Sequence, residues 1–87
     1  MAAPHVIEFE FDYEPPALAR VVERSLAQEV GEIDDGRSAT TVSRDGPLVS
    51  IRVEAADLVA LRAAANTWLS LTTVAERVAD KAGVFES

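Results

Sequence analysis

The last third of the chain carries its longest apolar pattern, from about Asp57 to Ala82. Small or apolar residues recur there at alternating steps of three and four, which predicts a long helix that packs lengthwise on other elements. This row consists of Leu58, Leu61, Ala65, Trp68, Thr72, Ala75 and Ala79. Beyond Trp68 the row holds only small side chains, and the bulky residues lie on a neighbouring face of the helix: Leu71, Val74 and Val78.

The predicted helix is too long for a small sheet to cover. At ~1.5 Å per residue it spans about 39 Å, whereas a strand of about seven to nine residues spans roughly 25–30 Å. We therefore expect the C-terminal turns to extend beyond the sheet, with apolar side chains still to bury. The pattern favours a subunit that a partner completes.

The first third of the chain predicts a strand and a shorter helix. His5 to Tyr13 alternates apolar and acidic residues, which is typical of a strand with one buried face. Pro15-Pro16 begins a helix, and Gly31 ends it. The apolar stripe of this helix consists of Leu18, Val21, Val22, Leu26 and Val30.

The middle of the chain predicts a hairpin. Asp34-Asp35-Gly36 indicates a turn, and Ser38 to Arg44 is a short strand rich in serine and threonine. Asp45-Gly46 indicates a hairpin turn, and Leu48 to Glu54 is the return strand.

The order of elements, strand-helix-strand-strand-helix, predicts an α+β two-layer fold. If the return strand of the hairpin lies beside the first strand, the sheet has three antiparallel strands, and both helices cover one face. The chain is then a single domain over residues 1–87, with an ordered core at about residues 5–83. The other face of the sheet is expected to meet water with Glu8, Glu10, Ser50, Arg52 and Glu54.

Composition limits the class of protein. The 87 residues are 48% hydrophobic, so the chain is not disordered. No stretch approaches the ~20 apolar residues of a membrane span, and no signal peptide precedes the first strand, so we expect a cytoplasmic protein. The absence of cysteine excludes disulfides and thiolate chemistry.

The charge is strongly acidic. Fifteen acidic residues against eight basic ones give a net charge of −7. A small domain with this excess repels itself in dilute buffer, a cost that proteins of a high-salt cytoplasm tolerate. The charge therefore indicates a halophilic source. In a low-salt cell it would argue against nucleic-acid binding, because that affinity comes mainly from phosphate contacts.

Candidate catalytic and metal-binding residues are few. His5 is the only histidine and lies near the terminus, so a metal site or a catalytic dyad is not expected. The carboxylate pairs Glu8/Glu10 and Asp34-Asp35 fall on a solvated strand face and in a turn, whereas acid–base catalysis needs a closed cleft. We expect no enzymatic activity, no cofactor and no metal.

Two other functions fit the order of elements. A stand-alone KH-like domain that binds single-stranded nucleic acid would need a GxxG loop, which the chain lacks. A small-molecule regulatory domain of the ACT type would need a fourth strand after the second helix, and Val84-Phe85 is too short to supply one.

The remaining candidates are binding residues. Leu71, Val74 and Val78 are either covered by the first helix or buried by a partner, and the shorter first helix favours a partner near Val78. The polar side of the long helix carries Arg62, Asn66 and Arg77. The hairpin region carries three arginines that could together form a local basic patch: Arg37, Arg44 and Arg52.

The long helix resembles the signature helix of the Pcc family, small subunits of the KEOPS complex with archaeal and human members. The resemblance rests on the run from Val53 to Leu69 and on Val74-Ala75-Glu76. The family's pattern stands here as Asp57, Leu61-Arg62, Asn66 and the apolar residues Leu71, Val74 and Val78. The N-terminal strand, the helix start at Pro15-Pro16 and the hairpin also agree, so the resemblance covers about residues 5–83.

The resemblance implies a non-catalytic adaptor. KEOPS makes threonylcarbamoyladenosine next to the anticodon of tRNAs, and its chemistry belongs to a catalytic threonylcarbamoyltransferase subunit. A Pcc-type subunit dimerises through its sheet, with itself or a paralogue, into a six-stranded sheet. It packs its two helices on the catalytic subunit and helps to bind tRNA. The partner-binding residues implied here are Leu71, Val74, Val78, Leu18 and Val22, and the tRNA-binding residues are Arg37, Arg44, Arg52 and Arg62.

Overall fold

A computed structural model describes residues 5–31, 36–81 and 83 of the chain. The described residues form five elements in the predicted order. These are β1 (His5–Asp12), α1 (Pro16–Ala27), β2 (Ser38–Asp45), β3 (Leu48–Ala55) and α2 (Leu58–Lys81). The predicted turn at Asp34-Asp35 and the segment Val84-Phe85 lie outside the described residues.

The three strands form one antiparallel sheet in the order β1-β3-β2, which confirms the predicted topology. The central strand β3 places Ile51 opposite both Phe9 of β1 and Val42 of β2. Gly46 opens the connection between β2 and β3 with a φ of 60°, a conformation that glycine adopts without a steric penalty. The carbonyl of Pro47 in the same connection accepts a 2.9 Å hydrogen bond from the N–H of Tyr13.

Both helices cover one face of the sheet. Val49, Ile51 and Val53 of β3 point into the core and are 0% exposed, while the residues between them face away from the helices. Trp68 of α2 is the largest fully buried side chain. Helix α1 packs on α2 and on β2, and α2 packs on β3 and β1. The two-layer α+β fold is therefore confirmed.

The burial of α2 differs from the prediction at its two ends. The predicted row is buried at Ala65, Trp68, Thr72, Ala75 and Ala79, so the C-terminal turns are covered on this side. Leu58, the first predicted member, is instead 58% exposed. Leu58 lies at the start of α2, where it lines an open cavity with Ile7 of β1, and α1 lies towards β2 and does not cover it.

Helix α1 also ends earlier than predicted. Its last residue is Ala27, so Val30 is not on its apolar stripe and is 36% exposed. The N–H groups of Glu29 and Val30 donate instead to the carbonyls of Leu26 and Ala27, which closes a tighter last turn.

Candidate partner-binding faces

The first candidate face is the C-terminal ridge, which we define as Leu71, Val74 and Val78 of α2. Val74 is 51% exposed and Val78 is 52% exposed. Leu71 is half-buried and packs against the hydrophobic core. Together with Ser70, Leu71 and Val74 line an open depression of about 370 Å³. Large apolar side chains that share one exposed helix face are typical of an interaction surface.

The two residues of α1 that were expected to join this face do not reach it. Leu18 is 2% exposed and Val22 is 0% exposed, because both side chains fill the core beneath the helices. They offer no surface to a partner. Val21, which the sequence placed on the apolar stripe but not among the partner-binding residues, is only partly buried against the same core. Val21 lies at the outer margin of the apolar stripe, between the buried Leu18 and Val22, and this position in the pattern is the only sequence feature that could have indicated its exposure.

The second candidate face is the β1-side row of α2, which we define as Leu58, Arg62, Leu69 and Glu76. Leu58 and Arg62 line an apolar cavity of about 220 Å³ together with Ile7 of β1. Leu69 is 39% exposed. Glu76 accepts a hydrogen bond from Tyr13, which follows β1, so both ends of the row face this edge strand. Leu69 is seven residues from both Arg62 and Glu76, and this spacing puts it on the same side of α2.

One hydrogen bond ties the C-terminal half of α2 to the sheet. The hydroxyl of Tyr13 donates to Oε2 of Glu76 over 2.6 Å. The Tyr13 side chain is 8% exposed. Its burial raises the pKa of Tyr13, and the bond to the Glu76 carboxylate raises that pKa further. The neutral phenol is therefore held as a donor at the point where β1 meets α2.

The arginines of the hairpin region are dispersed. Arg37 pairs with Asp57 at the start of α2. Arg44 lies on the helix side of the sheet, where its Nε donates to Glu23 of α1 over 3.2 Å. The N–H of Ala60, 2.8 Å from Asp57 Oδ1, and then the Arg37 guanidinium hold the pKa of Asp57 below its usual value.

Arg52 lies on the open face of the sheet, opposite to Arg44. Its Nε donates to Glu54 and its Nη1 to Glu8, each over 3.1 Å. The hydrogen bond to Glu54 and then that to Glu8 raise the pKa of Arg52 further. Arg44 and Arg52 thus lie on opposite faces of the sheet, so the prediction that they form a single local basic patch is wrong. In the described part of the chain, Arg62 takes part in no ion pair.

The described residues contain no group of three or more His, Cys, Asp or Glu side chains that could hold a metal ion. No helix in the described part of the chain combines the length with the apolar composition of a membrane-spanning segment. The chemistry on these surfaces is that of apolar contact and ion pairing, which suits the binding of another macromolecule.

A comparison with curated proteins finds no significant match. A family model described as transcription factor Pcc1 matches residues 6–80, which include nearly all of the five elements. This match supports the resemblance found in the long helix, and it is consistent with a non-catalytic subunit associated with KEOPS. Because the match covers most of the 87 residues, the chain belongs to the Pcc1 family.

Proposed function

We propose that this chain is a non-catalytic adaptor subunit of the KEOPS complex. In this proposal it docks the catalytic threonylcarbamoyltransferase subunit through its helices, dimerises through its sheet and helps to bind tRNA. The observation that carries the proposal is the C-terminal ridge, where Val74 and Val78 are half exposed on a helix whose other side builds the core.

The spacing of the ridge suits a partner helix. Leu71, Val74 and Val78 follow one another at steps of three and four, so they form a straight apolar row along α2. Rows of this kind pack into the groove of another helix, and the contacts at i, i+3 and i+7 act as anchors. The partly buried Val21 of α1 is the candidate contribution from the first helix.

The docking proposal is tested by placing charges on the ridge. Val74→Asp with Val78→Asp puts two carboxylates where an apolar contact is needed, and should abolish co-purification with the catalytic subunit. The matched control is Val59→Asp with Ala63→Asp, which has the same spacing at exposed positions of the same helix. The control should bind normally, and circular dichroism should report the same fold for both variants.

Two results would contradict the docking face. If the ridge variant still binds the catalytic subunit, the ridge is not the contact. If the control loses binding equally, added negative charge alone explains the effect.

For the dimer, the proposal draws support from the two unpaired edges of the sheet. Among the described strands, β1 and β2 each have a neighbour on one side only. Edges of this kind pair readily with another strand, and two copies joined at one edge would form a sheet of six strands. A paralogue could replace one copy in the same arrangement.

For tRNA binding, the proposal depends on arginine side chains that can contact phosphate groups. Arg37, Arg44 and Arg52 are already engaged by carboxylates, so each would have to leave its partner. Arg62 has no such partner in the described residues, which makes it the strongest single candidate. We expect these arginines to act within the assembled complex, beside the cations of other subunits.

Charge reversal separates these candidates. In the assembled complex Arg62→Glu should weaken tRNA binding more than Arg52→Glu, at matched salt. The mass of each complex, measured in the same samples, distinguishes lost tRNA contact from lost assembly. Unchanged affinity in both variants would contradict a tRNA role for these residues.

A further inference from the structure

We propose that the C-terminal ridge is one wall of a groove between α1 and α2, and that basic side chains on both rims of this groove select a partner helix with acidic flanks. The inference rests on the proposed docking of the catalytic subunit. It deepens that proposal because it names the chemistry of the segment that the groove receives.

The ridge lies on the side of α2 that meets α1. Glu76 bonds to Tyr13 on the β1 side of α2. The ridge lies on the opposite side of the helix, and the buried row with Ala75 and Ala79 runs between the two sides. Because α2 packs on β3 and β1 while α1 packs on α2 and β2, this opposite side is directed towards α1.

Helix α1 supplies the other wall through Val21. Glu23 bonds to Arg44 of β2, so the Glu23 side of α1 faces the β2 edge. Val21 lies at the other margin of the buried stripe and is only partly buried against the core. Val21 and the ridge thus line an apolar groove above the contact between the two helices.

Both rims of this groove carry exposed basic side chains, which we call the rim cations. On α1, Arg24 is three residues after Val21, and Arg20 lies about one turn earlier. On α2, Arg77 and Lys81 are each three residues after a valine of the ridge. Residues three or four apart are neighbours on a helix surface, so each rim places its cations beside the apolar walls.

The rim cations are available to a partner. Across the described residues, the ion pairs of the chain use Arg37, Arg44 and Arg52, and none of them uses a rim cation. Half of the eight basic residues of the chain therefore flank one groove, although acidic residues are in excess overall. A cationic border of this kind favours a partner segment that carries carboxylates.

The occupant that fits this groove is a protein helix and not RNA. Val74 and Val78 are half exposed between the two rims, and their burial needs an apolar partner surface, which phosphate groups do not offer. An amphipathic helix with an apolar row on the groove and acidic residues on both flanks would contact the ridge and the rims together.

Two features reduce the attraction. Asp80 is three residues after Arg77 and lowers the positive potential at the α2 rim. Arg24 and Lys81 lie in the last turns of their helices, where a cation also interacts favourably with the helix dipole. Exposed charges at the rim of an interface change mainly the rate of association, so this rate is the quantity to measure.

Neutralisation of each rim tests the inference. The α1 variant is Arg20→Gln with Arg24→Gln, and the α2 variant is Arg77→Gln with Lys81→Gln. Each should slow association with the catalytic subunit by about threefold or more at low salt. The difference should disappear at about 1 M salt, where screening is nearly complete. Urea denaturation of each variant separates a loss of helix stability from a loss of attraction.

The control has the same change in net charge at another place. Val59→Asp with Ala63→Asp adds two negative charges to exposed positions of α2 outside the groove, and each rim variant removes two positive ones. The control should associate at the rate of the unmodified chain. An equal decrease in the control would attribute the effect to net charge and overturn the inference.

The remaining outcomes separate the inference from the docking proposal. If both rim variants associate at the unmodified rate at low salt, the inference is wrong, and docking through the ridge is unaffected. If the unmodified chain does not bind the catalytic subunit, the proposed docking and the inference both fail. Normal docking together with weaker tRNA binding would assign the rim cations to RNA and overturn the inference.

A zero-length cross-link identifies the carboxylates of the partner. Lys81 is the only lysine of the chain, so carbodiimide coupling of its amine reports acidic side chains in contact with the α2 rim. We expect an amide between Lys81 and an Asp or Glu beside an apolar row on a helix of the catalytic subunit, mapped by mass spectrometry of the digested complex. Lys81→Arg keeps the charge and should dock normally without this amide. If Lys81 in the assembled complex couples to no such residue, the inference is wrong.

Discussion

In the C-terminal half of α2, the buried row holds small residues and the neighbouring exposed row holds larger ones. The small residues Ala75 and Ala79 are 3% and 0% exposed. The larger Val74 and Val78, each one position earlier, are 51% and 52% exposed. A helix that needed only to stabilise its own domain would place the larger apolar side chains inside, because burying them stabilises the fold more.

The difference in size between the buried alanines and the exposed valines indicates what each row contributes. Alanines in the core let the helix axis approach its neighbours closely, and tightly packed interiors leave no room for larger groups. The valines are half exposed and contribute little to the isolated chain, and the proposed docking surface would account for their size. Each prediction below alters one side of this comparison.

The largest expected effect comes from the buried side. Trp68→Ala should lower the free energy of unfolding by about 3–5 kcal/mol, because it removes the largest fully buried side chain. Val78→Ala, in the exposed row, should change it by less than about 0.5 kcal/mol. Urea denaturation followed by circular dichroism measures both.

Trp68→Phe sharpens this result. In the part of the chain that the structure describes, the indole Nε1–H has no hydrogen-bond acceptor. Phenylalanine therefore loses volume but no hydrogen bond, and its cost should be well below that of alanine. Equal losses for the two variants would mean that packing is not what Trp68 contributes.

The buried row could be predicted from the sequence because a repeat of three and four residues determines which side chains share a face. The same reasoning gave the strand order, since an Asp-Gly turn forces β2 and β3 to be neighbours. It was wrong where burial depends on the position of another element. Leu58 is exposed because it lies on the β1 side of α2, away from α1, and Leu18 and Val22 are too deep to touch a partner.

The arginines illustrate the second limit of sequence reasoning. Arg44 and Arg52 are close in sequence, but β2 and β3 place their side chains on opposite faces of the sheet. Ion pairs such as Arg44–Glu23 join residues from separate elements, and no local pattern identifies them.

An intermediate effect on stability is expected when a leucine is introduced at a buried position, and the adjacent exposed position serves as the comparison. Ala79→Leu should destabilise the isolated chain by about 1–3 kcal/mol, because a filled core cannot accept three more carbons without strain. Val78→Leu should be nearly neutral for the isolated chain. Thermal or urea unfolding of the two variants measures the contrast. Similar losses at both positions would show that the ridge is packed in the isolated chain and does not await a partner.

The smallest expected effect comes from the hydrogen bond between Tyr13 and Glu76, which ties α2 to the end of β1. Tyr13→Phe removes the 2.6 Å hydrogen bond to Glu76 and should lower the free energy of unfolding by about 1 kcal/mol at neutral pH. The pH dependence has a definite sign. The pKa of Tyr13 is raised in the folded chain, so its contribution is complete below the unfolded value of about 10 and is lost as pH rises through the folded value.

The ionisation of Tyr13 can be measured directly in this chain. Tyr13 is the only tyrosine, so tyrosinate absorbance at alkaline pH reports this group alone. The absorbance change should occur well above the usual pH for tyrosine, and the stability difference between the unmodified chain and Tyr13→Phe should shrink over the same interval. Ionisation at the ordinary pH would mean that Tyr13 neither is buried nor donates to Glu76. The C-terminal half of α2 would then lack its tie to β1, and the ridge would have to be oriented by packing alone.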